Sequence, residues 1–323
     1  MSSGEFDLIS QYFAPLAGEG QPAYGLTDDA AVLSPPDGKD LVFTKDALVG
    51  DVHFFSHDPA DLIAQKALRV NLSDLAGMGA EPVGYLLALA LPKEMPDRDL
   101  WVETFASGLE KDQQEFDVLL MGGDTVSTTG PLTVTVTAIG AVKRGKALRR
   151  NGAQIGDDIY VSGTLGDSAL GLKCLTGDII PADKALIQNY HLPIPRMELG
   201  KRLHNVASAV MDISDGLAGD ISHICRLSEV GAQISIDLIP ISSAAGNILE
   251  SFSQYKSLIW TGGDDYELLF TAPPKMANEV RQLSSELGLA LTKIGQITER
   301  QGIIFVDSDG QELNQDNQGF RHF

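Results

Sequence analysis

The chain is poor in cysteine and in basic residues. Its 323 residues include only two cysteines, Cys174 and Cys225, with no CxxC and no companion cluster. Neither a disulfide framework nor a cysteine-ligated zinc site follows from that usage, which fits a reducing compartment. Lys plus Arg number 24 against 44 Asp plus Glu, a formal net charge of −20. A body that acidic repels nucleic acid and anionic membranes at long range. Long apolar runs are missing as well: the longest, around 83–91, is half the roughly 20 residues that span a bilayer. The segment MSSGEFDLISQYF carries Glu5 and Asp7 where a secretory signal would carry Lys or Arg. These absences predict a soluble, cytoplasmic protein with neither nucleic acid nor membrane as its partner.

Familiar nucleotide and metal signatures are absent too. The segment GAVKRGKA at 140–147 approaches a phosphate loop, but Ala147 stands where a Ser or Thr hydroxyl would meet magnesium, and the segment continues a strand. No GxGxxG follows a strand, and the HRD and DFG strings of protein kinases are missing. His53 and His57, in HFFSH, have the spacing of a helical zinc pair but lack the Glu after the first His. The EF-hand spacing is also missing. If this chain handles ATP, it does so with another architecture.

What is present is an ordinary globular composition, 43% hydrophobic and 21% charged, in a length suited to two domains. Apolar periodicity switches between the two regular periods, which predicts alternating strands and helices, a mixed α/β chain. In the first part strands are expected at 41–44, 83–91, 118–121 and 132–139, with helices at 61–76 and 97–116. The basic, Gly-containing stretch 143–156 reads as a surface connection, placing domains at 1–148 and 149–323. The second part is expected to hold strands at 159–162, 209–213, 233–236, 267–271, 292–297 and 303–306. Helices are expected there at 168–175, 197–204, 217–227 and 275–287.

Aspartates recur beside Gly, Ser or Thr at the expected ends of apolar strands: Asp28, Asp29, Asp46, Asp124, Asp212, Asp215, Asp264 and Asp265. Each alone is equally a turn residue or a helix cap. Together, strand-end carboxylates in an α/β chain would converge on the crevice where ligands bind. Such a cluster repels itself unless divalent cations neutralise it, and oxygen donors without His or Cys point to magnesium. Asp74 lies three residues after Asn71 on one face of an apolar helix. A carboxylate there needs a partner, either a basic neighbour such as Lys66 or Arg69 or a metal.

The strings GLTDDAAVL, TKDALVGDVHF, NLSDLAGMGAEP, MGGDT, DISDGL, TGGDDYELLF and GFRHF, in that order, together resemble the thiamine-monophosphate kinase family. That family belongs to the ATP-using superfamily typified by aminoimidazole-ribonucleotide synthetase. The resemblance covers essentially the whole chain. It implies a two-domain synthetase-like fold, mixed α/β or α+β, whose N-terminal sheet forms a barrel across a homodimer. It also implies phosphorylation of thiamine monophosphate by ATP to thiamine diphosphate, with several Mg2+ ions. Carried over by position, the metal ligands are Asp29, Thr44, Lys45, Asp46, Asp74, Asp124, Asp212 and Asp215. ATP would meet Gly123, Asp124, Arg150 and Ser214, and the thiamine phosphate His53, Asp264 and Phe320. Asp46, Asp124, Asp212 and Arg150 would carry catalysis, with Arg150 and His53 as cationic donors to phosphate. Three positions depart from the family's habit. Lys45 replaces Ser or Thr, so a metal contact there would run through its carbonyl. Asp264 stands where Glu is frequent, and Phe320 where Trp or Tyr is common.

Overall fold

The computed structural model describes residues 4–20 and 22–313. The chain divides into two compact units, Met1–Leu75 with Ala80–Gly145, and Ala76–Gly79 with Lys146–Phe323. In the first unit, α1 (Glu5–Leu8), a π turn (Ile9–Phe13) and α2 (Ala14–Ala17) precede β1 (Lys39–Val49), α3 (Ala60–Gly77), β2 (Glu81–Pro92), α4 (Arg98–Phe116), β3 (Leu119–Thr128) and β4 (Thr133–Lys143). The sheet order is β1-β4-β2-β3. β4 runs antiparallel to both β1 and β2, while β2 and β3 are parallel.

Strand alternation gives this sheet two unlike faces. One row across it runs Asp46–Val136–Leu87, and flanking rows on the same face hold Thr44, Ala138 and Tyr85, then Leu48, Val134 and Leu89. Apart from the partly covered Thr44 and Asp46, these side chains are buried. They lie under α3 and α4. Helix α3 is apolar nearly all round, with Ala64, Ala67, Leu68, Leu72, Leu75 and Ala76 inaccessible, as a central helix must be. Helix α4 instead buries a stripe, Val102, Phe105, Ala106, Leu109, Asp112 and Gln113. The two helices are pinned by charge: Arg69 Nε and Nη2 donate to Asp112 Oδ2 and Oδ1, both at 2.8 Å, and Gln65 donates to the same carboxylate at 2.8 Å. Arg69 is therefore committed to Asp112 and Glu115.

The opposite face carries no helix among the described residues. It presents Phe43, Lys45 and Ala47 from β1, Thr133, Thr135 and Thr137 from β4, Leu86 and Ala88 from β2, and Asp124 and Val126 from β3. Phe43 is 61% exposed and Val126 49%. The sheet is open, with β1 and β3 as its edges, so no barrel closes among the described residues.

The second unit holds β5 (Asp158–Ser162), α5 (Asp167–Leu175), α6 (Lys184–His191), α7 (Met197–Arg202), β6 (Ala209–Asp212), α8 (Leu217–Ser228), β7 (Gly231–Ser235) and α9 (Ser243–Ser251). After these come α10 (Leu258–Thr261), β8 (Leu268–Ala272), α11 (Ala277–Leu287), β9 (Leu291–Thr298) and β10 (Gly302–Val306). Its sheet order is β10-β7-β9-β5-β8-β6, antiparallel except for the β10–β7 pair. A single apolar cluster including Val161, Leu170, Ile213, Ile221, Leu269 and Phe305 fills its interior. Among the described residues no helix is long and apolar enough to cross a membrane.

Candidate functional site

Three expected residues meet in the first unit. Thr44 and Asp46 point from β1 toward α3, where the Thr44 hydroxyl donates to Asp74 Oδ2. The Asp46 N–H donates to Asn71 Oδ1 at 3.1 Å, and Asn71 Nδ2 donates to the Ala67 carbonyl at 3.0 Å. Asn71 thus orients the strand, while Asp46 and Asp74 face each other. Burial raises the Asp46 pKa to about 7, and the charge of Asp74 and a hydrogen bond to it add to the effect. Two carboxylates so placed share a proton unless a cation arrives. Their donors are hard oxygens, the set that suits magnesium.

His53 lies in the turn after β1. Its Nδ1 accepts the Val49 N–H at 3.1 Å, so the ring that makes this bond is neutral and keeps an Nε2–H donor. That differs from the cationic donor anticipated from the sequence. Asp29 is exposed in the bend 28–30, well ahead of β1. Asp51, not singled out from the sequence, is held by Ser56, whose N–H and hydroxyl donate at 2.9 and 2.8 Å and lower its pKa.

Asp124 is not brought to this group. It pairs with Ala88 on β3, the edge opposite β1, and points to the open face together with Lys45. Three strand spacings separate those edges, roughly 14 Å, and Asp46 and Asp74 lie on the other side of the sheet. Gly123 is needed where it stands, since a Cβ there would lie 1.8 Å from the Leu87 carbonyl oxygen. Among the described residues no three of His, Cys, Asp and Glu form a ready metal group.

In the second unit, two loops are joined along their backbones. The Asp264 N–H donates to the Ser214 carbonyl, the Tyr266 N–H to that of Ile213, and the Ile213 N–H to that of Glu267, each at 2.8 Å. This places Asp212, Ser214 and Asp215, at the end of β6, beside the loop that bears Asp264. Asp264 and Tyr266 adopt left-handed φ values of 69° and 51°, uncommon for residues with a Cβ, and the Tyr266 hydroxyl donates to Asp264 Oδ1 at 3.2 Å. Gly216, at φ 100°, passes so close that a Cβ would lie 2.7 Å from the Gly262 oxygen. Arg150 is exposed. Its charge reaches His223 on α8, whose pKa is lowered first by burial and then by Arg150 and Arg226.

Two further carboxylates stand behind these loops. Asp220, 1% exposed, accepts the N–H groups of Ser214 and Asp215 at 3.0 and 3.1 Å. Burial, with Asp212 and Asp215 nearby, raises its pKa to about 8. Asp265 accepts the Gly166 N–H at 2.7 Å and makes a longer 3.4 Å contact with that of Ser168. The residue keeps some accessible surface, but its carboxylate is deep enough for burial to raise its pKa well above the usual range. Neither role was legible beforehand, because an acceptor for loop N–H groups is chosen by the fold and not by spacing. Phe320 lies outside the described residues.

Residues 27–142 match the model of the AIR synthase related protein N-terminal domain, and 154–308 that of the corresponding C-terminal domain. The chain thus has the two-domain AIR synthase-like fold. A thiamine-monophosphate kinase of Escherichia coli is 41% identical over 100% of this chain and 99% of its own length. The crystal structure of the Stenotrophomonas maltophilia thiamine-monophosphate kinase is 42% identical, with a TM-score of 0.81 over 89% of this chain and 91% of that one. A structure of AaThiL complexed with AMPPCP and TMP is 30% identical, with a TM-score of 0.79 over 98% and 94% of the two chains. The chain belongs to the thiamine-monophosphate kinase family.

Proposed function

We propose that this chain transfers the terminal phosphoryl group of ATP to thiamine monophosphate, giving thiamine diphosphate. The acceptor is a phosphate monoester with a second pKa of about 6, already an anionic nucleophile at neutral pH, so no general base is required. The barrier is repulsion between two polyanions on a protein of net charge −20. Positioning and charge neutralisation therefore carry catalysis, by direct in-line transfer without a phosphoenzyme.

Asp46 and Asp74, with Thr44, are the oxygens of the first unit that would hold magnesium. Asp212 and Asp215 are those of the second, and Asp29 and the Lys45 carbonyl complete the proposed set. Bound there, Mg2+ would neutralise phosphate charge and orient the transferring group. Arg150 and the Ser214 region would bind the nucleotide. The His53 Nε2–H would donate to the acceptor phosphate, and Asp264 would accept from the amino group of the thiamine ring. The N-terminal domain expected from the sequence, 1–148, would supply metal and nucleotide contacts and dimerisation, and the C-terminal domain, 149–323, further nucleotide and substrate contacts. The observation that carries this proposal is the Asp46–Asp74 pair, two carboxylates held together on motif positions at the cost of a raised pKa.

Asp124 and Gly123, on the open face at the far edge, join such a site only if a second copy covers that face. A homodimer closing two four-stranded sheets into a barrel would bury the uncharged Thr and Ala rows and give the exposed edges a partner.

The test is ADP release with magnesium and ATP, offering thiamine monophosphate, thiamine and an aminoimidazole ribonucleotide precursor in parallel, with the product identified by chromatography. Turnover with thiamine monophosphate alone is expected. Turnover with the aminoimidazole precursor or thiamine instead would overturn the assignment.

A further inference from the structure

The turn 213–216 carries two of the proposed site residues, Ser214 and Asp215, and is anchored at its start by Ile213, buried in the core. Its N–H groups at 214 and 215 point inward, and both are taken by one oxygen, Oδ2 of Asp220, at 3.0 and 3.1 Å. Asp220 belongs to the first turn of α8, so the helix that follows the turn reaches back to fasten it. The group is 1% exposed, which keeps it from meeting a substrate directly. It lies beside Asp212 and Asp215, whose charges oppose its own. A third carboxylate is an expensive choice for a place already rich in them, so its worth must lie in the two bonds it accepts.

We propose that Asp220 is a positioning residue: by accepting the N–H groups of Ser214 and Asp215, it fixes the turn in the shape that presents the Asp215 carboxylate and the Ser214 region to metal-bound nucleotide. The proposal rests on Ser214 and Asp215 having those roles. Because a single oxygen accepts both bonds, an amide oxygen in the same place serves equally well. A metal ligand at this position would not tolerate that exchange so readily.

The experiment measures kcat, KM for ATP and half-saturating Mg2+ for wild type, Asp220→Asn, Asp220→Ala, Asp215→Asn and the Asp215→Asn/Asp220→Ala double variant, well below the melting temperature of each. Asp220→Ala is expected to raise half-saturating Mg2+ tenfold or more, and Asp220→Asn to stay within about threefold of wild type. In half-saturating Mg2+ the double variant should be no worse than Asp215→Asn alone, since Asp220 acts on the metal through that residue. Should Asp220→Ala not fold, Asp220→Ser, whose hydroxyl is too short to reach both N–H groups, takes its place. Equal damage from Asn and Ala would make Asp220 a ligand and overturn the proposal, as would strict additivity in the cycle. Asp215→Asn with unchanged magnesium dependence would instead remove Asp215 from the metal site, whereas a shift in that variant without one in Asp220→Ala would overturn the positioning role alone.

Discussion

Replacing Asp46 by Asn should stabilise the metal-free protein at neutral pH while abolishing turnover. In the folded chain the Asp46 pKa is raised from its usual 3.8 to about 7, by burial first and by Asp74 second. Below pH 4 both folded and unfolded states hold the proton, and Asp46 costs nothing. As pH rises toward 7 the unfolded chain releases its proton first, so stability falls; above 7 the cost is constant. At about 1.4 kcal/mol per pH unit, that interval sets an upper figure of about 4 kcal/mol. Part of the proton belongs to Asp74, so a difference of roughly 2–4 kcal/mol is expected. Urea denaturation in EDTA at pH 5 and pH 8 measures it: wild type should lose stability relative to Asp46→Asn across that range, and the variant should be the more stable at pH 8. Magnesium should narrow the gap by stabilising wild type alone. Parallel pH profiles, or an Asn variant less stable than wild type at pH 8, would refute the idea that the two carboxylates are held together against their own repulsion.

The ion pair between α3 and α4 makes an opposite case. Asp112→Ala removes the carboxylate that holds the Arg69 guanidinium, 8% exposed, through two bonds, and should cost about 3–5 kcal/mol, read as a lowered denaturation midpoint. On the open face, Thr135→Lys places a cation at the middle of the β1-β4-β2-β3 sheet without touching its core. Light scattering should find a dimer in wild type and a monomer of low activity in the variant. A fully active monomer would contradict the two-copy site.

Much of the fold was legible in the sequence where burial imposes a pattern. Helix α3 is nearly continuous in Leu, Ala and Val between Pro59 and Gly77, and it runs from Ala60 to Gly77. The Thr/Val alternation of 132–139 became β4, with Val134 and Val136 buried and the threonines outward. The structure departs from these expectations where glycine or charge sits inside a strand. β3 was expected to stop at Met121, yet it passes through Gly122 and Gly123 to Thr128, because those glycines pair with Leu86 and Leu87 instead of turning. β1 likewise continues beyond Thr44 to Val49, using Lys45 and Asp46 as in-strand residues. Helices α6 and α9, only eight and nine residues long, fall below the length at which apolar periodicity stands out in the sequence.

The same distinction bears on the site. Placing Asp46 and Asp124 at strand ends sends both to one crevice, whereas placing them within strands lets the period of two decide. Asp46 shares a face with Leu48 and Thr44, under α3, and Asp124 shares one with Val126, in the open. Position within the pleat therefore separates residues that their flanking motifs make alike. The aspartates of this chain then divide by what neutralises them. Asp112 has a guanidinium, Asp220 and Asp265 have loop N–H groups, and all three are accounted for inside the fold. Asp46 and Asp74 face each other, with the Thr44 hydroxyl donating to Asp74, and Asp215 is partly exposed at the turn that donates to Asp220. In a protein of net charge −20, carboxylates left together in this way are the ones the proposed mechanism would assign to a cation carried in with the substrate.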